Sequence, residues 1–391
     1  MSQKQISLSP DLKKLRDEGF EVEIKSAFLL VHNVPYVNSE KKIDYGTLVS
    51  ELTLAGDTTV KPSSHVMYFT ADHPCNKDGS IITGILHQSQ VQTLVDGIVI
   101  KHSFSNKPTG GYKDYYEKVV TYVNIISSPA ESIDPSATAK TFKVIETENS
   151  EEVFNYFDTN SSRTEISVIS SKFNNLKIAI VGLGGTGSYI LDLIVKTPVK
   201  EIHLFDGDDF LSHNAFRAPG AASIEELNKK SKKVSYFQRI YSKMHKYVIA
   251  HNYYLNSLNV EELMEMDFVF ICIDDGEVKK PLIEKLKENG KSFIDVGIGV
   301  LNIDNLLLGH LRITCDSKEK NDHIKDKISF SDEGNNDYSL NIQIAELNAL
   351  NAALAIIKWK KLCHFYHDQA NEYHAIYEIS TNKLFNDETF S

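Results

Sequence analysis

The chain has 391 residues, 41% of them apolar and 24% charged, and a formal net charge of -11. That composition excludes a disordered chain and allows two domains with real cores, while the acidic balance argues against a generic binder of nucleic-acid backbone, whose affinity comes from clustered Lys and Arg. No basic-plus-apolar leader follows Met1 and no apolar run nears the ~20 residues of a membrane span, so a cytoplasmic protein with neither nucleic acid nor membrane as partner is expected.

Residues 1 to about 150 carry Gly, Pro, Ser and Asn turns between short β-type runs, HVMYF, LVDGIVI and VVTYVNII, with no long helical period. They predict a β-rich or α+β accessory domain over 1–150. Two loops stand out there, HPCNKDGS at 73–80 and the aromatic-rich SFSNKPTGGYKDYYEK at 103–118. Both read either as structured loops or as a surface for a protein partner, with Cys75 as a candidate second thiol. The polar SPAESIDPSATAKT and the acidic cluster at 146–152 place the boundary between 128 and 165.

From Lys177 the texture becomes apolar strands alternating with helices, the pattern of βαβ units. Strands are predicted over 177–182, 201–206, 267–273 and 292–296, with helices over 187–196 and 277–289 and a last long helix over 342–362. That helix is apolar around most of its circumference, so burial is expected, and its basic end KWKK suits the negative pole of the helix dipole. The expected fold of 160–391 is α/β: a Rossmann-like, mostly parallel sheet flanked by helices.

Behind the first strand stands VGLGGTGSY, in which Gly182, Gly184 and Gly187 satisfy GxGxxG in the strand-to-helix context that makes the motif meaningful. Glycines let backbone approach an anion, and the helix start turns unpaired N–H groups toward it. Asp206, closing the next strand, stands where a carboxylate accepts from ribose hydroxyls. A nucleotide site follows, and a nicotinamide dinucleotide and ATP both satisfy it.

The stretch FDGDDFLSHNAFR then brings Asn214 and Arg217, Lys233 opens a later helix, and Asp274 and Asp275 follow the strand DFVFICI. Ligands of doubly wound sheets sit beyond the carboxyl ends of strands, so the glycine loop, Asp206 and Asp274 should converge on one crevice. Arg and Lys would hold charge on transferring phosphates, an Asp would carry Mg2+, and an already ionised carboxylate nucleophile needs no general base. Asp275 reads equally as the N-cap of the helix behind it, and His213 as a loop residue.

GLGGTGS, FDGDDFLSHNAFR, the helix-borne KKV and CIDD together resemble the ThiF and MoeB-type adenylating enzymes, a group that includes the adenylation domain of ubiquitin-activating enzymes; the resemblance covers about 160–365. It implies ATP and Mg2+ as cofactors, Gly182, Gly184, Gly185, Gly187 and Ser188 as the phosphate floor, and Asp206 as the ribose ligand. It further implies Asn214, Arg217 and Lys233 on the phosphates and Asp274 supporting Mg2+ and the adenylate. Arg163 resembles the arginine that reaches a neighbouring protomer's ATP, which implies a homodimer. The substrate implied is the C-terminal glycine of a ubiquitin-like or sulfur-carrier protein, with a conjugating enzyme as a further partner.

The four cysteines, Cys75, Cys272, Cys315 and Cys363, form no CxxC, so neither a disulfide framework nor an all-cysteine zinc site is expected. Cys272 and Cys363 read as packing, whereas Cys315, between a strand and the polar DSKEKNDHIKD, is the candidate nucleophile for a thioester step. Two other functions fit parts of the pattern: a nicotinamide-dependent oxidoreductase, and adenylation of a small-molecule or RNA-attached carboxylate.

Overall fold

A computed structural model describes residues 2–94, 97–146, 152–164, 166–317, 320, 322–328 and 342–386. The acidic cluster at 146–152 and the loop after Cys315 therefore lie partly outside the described residues. The chain divides into two compact units, Met1–Ile145 with Ser162–Thr164, and Glu146–Ser161 with Glu165–Ser391.

After a short helix at Ser2–Leu8, the first unit carries helix α1 (Pro10–Asp17) and builds six antiparallel strands: β1 (Glu21–Lys25), β2 (Phe28–Val37), β3 (Ile43–Glu51), β4 (Val66–Phe69), β5 (Leu86–Thr93) and β6 (Val99–Ser105). Their order is β1-β2-β3-β4-β6-β5. The run VVTYVNII is not a strand: it lies inside helix α2 (Tyr115–Glu131), which packs on β2. β-branched residues favour strands, but two other signals override them here. Asp114 caps the helix by accepting from Glu117 N at 2.7 Å, and Glu117 accepts in return from Lys113 N at 2.7 Å. Tyr115, Val119, Tyr122, Val123, Ile126 and Ala130 then fall on one buried face at helical spacing.

Lys118 shares that face and is only 1% exposed. Its ammonium donates to Ser50 Oγ at 2.8 Å and to the Ser64 carbonyl at 2.9 Å. Burial lowers its pKa to about 8.

The second unit includes β7 (Lys177–Val181), α3 (Gly185–Ile194), β8 (Glu201–Phe205), α4 (Ser212–Ala215), α5 (Lys233–Tyr241) and β9 (Val248–His251). It continues with β10 (Phe268–Ile271), α6 (Gly276–Glu288), β11 (Ser292–Ile303), β12 (Leu306–Asp316), α7 (Ala345–Leu362), β13 (His374–Glu378) and β14 (Lys383–Asn386). The sheet order is β9-β8-β7-β10-β11-β12-β13-β14. The first five in that order pair in parallel, and β12, β13 and β14 extend them antiparallel. The expected parallel sheet is thus present with a three-stranded antiparallel wing.

Alternation along β7 explains why the sheet needs helices on both faces. Ile178 and Ile180 enter one core with Leu191 of α3 and Trp359 of α7, while Ala179 and Val181 enter another with Leu282 and Leu286 of α6. Each such fully buried aliphatic side chain contributes roughly 1.5–3 kcal/mol. Helix α7 is amphipathic in place rather than buried all round: Trp359 is fully covered and stacks on Phe173, whereas Ile357 is exposed. Chain order reverses between β7 and β10, which opens a crevice at their carboxyl ends. Among the described residues no helix is long and apolar enough to cross a membrane.

Candidate active site

The glycine loop leaves β7 at that reversal. Gly182 has φ +90, and a Cβ there would stand 2.7 Å from the Cys272 carbonyl oxygen at the end of β10. Only glycine allows both the left-handed turn and this close approach. Gly187 serves packing, since its Cβ would lie 1.9 Å from the Gly182 oxygen.

Asp206 fixes the loop from the neighbouring strand. One carboxylate oxygen accepts from Leu183 N at 2.7 Å and the other from Asp208 N at 2.8 Å. Lys233, the first residue of α5, is buried with its ammonium 2.6 Å from Asp208 Oδ2 and 3.4 Å from Asp206 Oδ2. Burial alone would raise the Asp208 pKa, but Lys233 and the Tyr254 hydroxyl, which donates to its other oxygen, hold it below the usual carboxylate range. The same hydrogen bond, with burial, pushes Tyr254 up to about 12.

These groups line a cavity of about 570 Å³. Gly182, Gly184, Gly185, Asp206, Arg217, Lys233 and Asp274 all face it, so the convergence expected from the sequence is present. Arg217 Nε and Asn214 Nδ2 are buried without a hydrogen-bond partner among the described residues. Unsatisfied buried donors are uncommon, and the one on Arg217, which lines the cavity, suits an anionic ligand. Asp274 Oδ2 accepts from Gln343 Nε2 at 3.4 Å. Asp275 caps α6, accepting from Glu277 N at 3.0 Å and Val278 N at 3.1 Å.

A buried ionic group lies behind the cavity floor formed by Val296 and Gly297. Asp295, fully covered, bridges Lys279 Nζ at 2.8 Å and Arg312 Nη2 at 2.5 Å. Burial and the Asp295 charge raise the pKa of Cys272, which also lines the cavity, so its sulfur stays a neutral thiol.

Five of the expected site residues stand elsewhere. Ser188 is buried, and its hydroxyl donates to the Gly185 carbonyl at 2.7 Å rather than facing the cavity. Gly187 packs as described, and Asn214 holds its own loop by accepting from Leu211 N at 2.8 Å through Oδ1. Cys315 is 1% exposed in the same apolar core that holds Trp359, and burial pushes its thiol up to about 12. A thiol so covered and so weakly acidic does not suit the nucleophile role expected of it. Arg163 is exposed and falls in the first unit. Cys75, the candidate second thiol, is buried too, and burial raises its pKa.

Sequence reasoning missed Thr186, Asp208, Tyr254, Gln343 and Gly297 on the cavity wall. Asp208 had a signal, being the second acid of FDGD; Tyr254 had none, because it is brought in by the loop after β9. A larger cavity, about 820 Å³, opens near Leu176, Phe268 and Ser292 at the amino ends of the strands, away from the glycine loop.

For Mg2+, no cluster of three or more metal-ligating side chains occurs among the described residues. On the cavity wall, Asp274 would suit a magnesium bound through one carboxylate and substrate phosphates.

The ThiF family model matches residues 163–303. These residues form a ThiF-family domain. A second model, described as a domain of unknown function (DUF6791), matches residues 10–159. The ThiF-family domain is similar to ubiquitin-like modifier-activating enzyme 5 of Drosophila virilis, 23% identical over 146 residues, 34% of this chain and 36% of that one. The enzyme of the same name from Rattus norvegicus is 23% identical over 153 residues, 36% of this chain and 37% of that one. The matches thus span little more than a third of these relatives. Among solved structures, E. coli MccB with ATP gives a TM-score of 0.47 at 16% identity, covering 58% of this chain and 71% of that one.

Proposed function

We propose that the second unit activates a carboxylate by adenylation with ATP, and that the carboxylate is the C-terminal glycine of a ubiquitin-like or sulfur-carrier protein. The observation that carries this reading is the meeting in one cavity of the glycine loop, Asp206, Arg217, Lys233 and Asp274. The similarity of the ThiF-family domain to ubiquitin-like modifier-activating enzymes supports a protein substrate.

The ionised carboxylate attacks the α-phosphorus, the bond to the bridging oxygen breaks, and pyrophosphate leaves with its electron pair. The chain's own task is to hold charge. The glycine loop and the start of α3 offer N–H groups to phosphate, Asp206 keeps acceptor capacity for ribose hydroxyls, and Arg217 and Lys233 place cations on the cavity wall. Asp274 would hold Mg2+, which supplies neutralisation of the leaving phosphates. The product is the acyl adenylate. A partner's thiol, such as that of a conjugating enzyme, is the acceptor in this scheme, because Cys315 is enclosed in the core. Arg163 is proposed to act across a homodimer on a neighbouring copy's nucleotide.

Calorimetric titration with ATP and with NADH tests the site, and exchange of labelled pyrophosphate into ATP, driven by a carrier protein ending in glycine, tests the chemistry. ATP binding and carrier-dependent exchange are expected. Tight NADH binding with no ATP binding overturns the proposal.

A further inference from the structure

Helix α7 carries two asparagines, Asn348 and Asn351, both fully covered and three residues apart on the face turned toward α3 and β11. Their amides reach three segments that line the nucleotide cavity. Asn348 Oδ1 accepts from Thr186 Oγ1 at 3.0 Å, and Asn348 Nδ2 donates to the Arg217 carbonyl at 3.4 Å. Asn351 Nδ2 donates to the Gly297 carbonyl at 3.1 Å. Thr186, Arg217 and Gly297 all face the cavity, whereas neither asparagine does.

The backbone is shaped to admit these amides. A Cβ on Gly185 would stand 2.1 Å from Asn348 Nδ2, so the carboxamide occupies the place of a side chain at the second residue of the glycine pair. A buried amide in a helix face is unfavourable unless its hydrogen bonds are made, and apolar residues would pack the same space without that cost. Its geometric consequence is specific. One rigid helix joins the glycine loop, the Arg217 segment and the cavity floor, which come from β7, β8 and β11.

We propose that Asn348 and Asn351 are positioning residues of the nucleotide site: from outside the cavity they set the spacing of the glycine loop, the Arg217 segment and Gly297. The proposal rests on the ATP reading of that cavity. It makes α7 a structural part of the site although only the residues preceding it, at Gln343, touch the cavity.

The test uses the full chain with ATP alone as probe, measured by calorimetry well below the melting temperature of each variant. Asn348→Leu keeps the volume over Gly185 and removes both hydrogen bonds; Asn348→Ala and Asn351→Leu accompany it in case one variant does not fold. Each folded Asn348 variant is expected to weaken ATP binding by about tenfold. A merely structural role would lower the melting temperature and leave the affinity of the folded protein unchanged. ATP affinity within twofold of the unchanged chain in the folded variants overturns the inference while leaving the adenylation reading intact. An unchanged chain that binds no ATP overturns both.

Discussion

Both units place lysine in their interiors, and they treat it in opposite ways. In the first, Lys118 is held by a serine hydroxyl and a carbonyl, and burial drags its pKa down to about 8. In the second, Lys233 meets Asp206 and Asp208, and Lys279 meets Asp295. A cation bonded to neutral groups is a liability that pH can relieve. The lysines of the second unit face acids instead, and around the cavity that arrangement suits the proposed phosphate site.

The contrast can be broken most sharply at the cavity. Arg217→Ala should lower carrier-dependent pyrophosphate exchange by a factor on the order of 10² to 10³ while leaving the unfolding midpoint unchanged, as for loss of one charge-stabilising donor. Unaltered exchange would remove Arg217 from the site. Next in size, Lys279→Met leaves Asp295 buried with Arg312 alone, so a destabilisation of about 3 kcal/mol is expected. Trp359, the single tryptophan, lies in the second unit and reports this directly in a urea titration followed by fluorescence.

The opposite sign is expected in the first unit. Lys118→Met removes a buried charge and should stabilise by about 2 kcal/mol at pH 7, reduced by the donor lost to the Ser64 carbonyl. Between pH 8 and the ordinary lysine value of 10.5 the unfolded chain binds more protons than the folded one, so stability from this group rises with pH across that window. The variant should lack that rise, and its advantage should shrink as pH increases. Hydrogen exchange of α2 amides, compared between the two proteins at pH 7 and 10, checks both points. Smallest of all, Asp275→Ala deletes the cap of α6 and should cost about 1 kcal/mol, seen as a shift in the urea midpoint of the Trp359 signal.

Much of the second unit was legible in its sequence, because a strand, a glycine turn and a helix are local events. The strand at Lys177–Val181, the helix opened by Lys233 and the Asp275 cap stand where the pattern puts them. The first unit was less so. VVTYVNII satisfies strand propensity residue by residue, and its helical state follows from a cap and a buried face that emerge only when the whole of 114–131 is considered together.

Within the site, the residues found from sequence are those in short contiguous motifs: the glycine loop, Asp206, Arg217, Lys233 and Asp274. Burial separated them from their neighbours. Ser188 and Gly187 belong to the same motif yet pack into helix and strand, and Cys315, at a strand end facing a polar loop in the sequence, is enclosed in the apolar core. The sequence by itself determined the element types of the α/β unit and which charges follow which strands, since these depend on local propensity and period. Only the tertiary structure decided which side chains share the cavity, that Tyr254 and Gln343 close it, and that Asn348 and Asn351 brace it from outside, because those contacts join residues up to 162 positions apart, from Thr186 to Asn348.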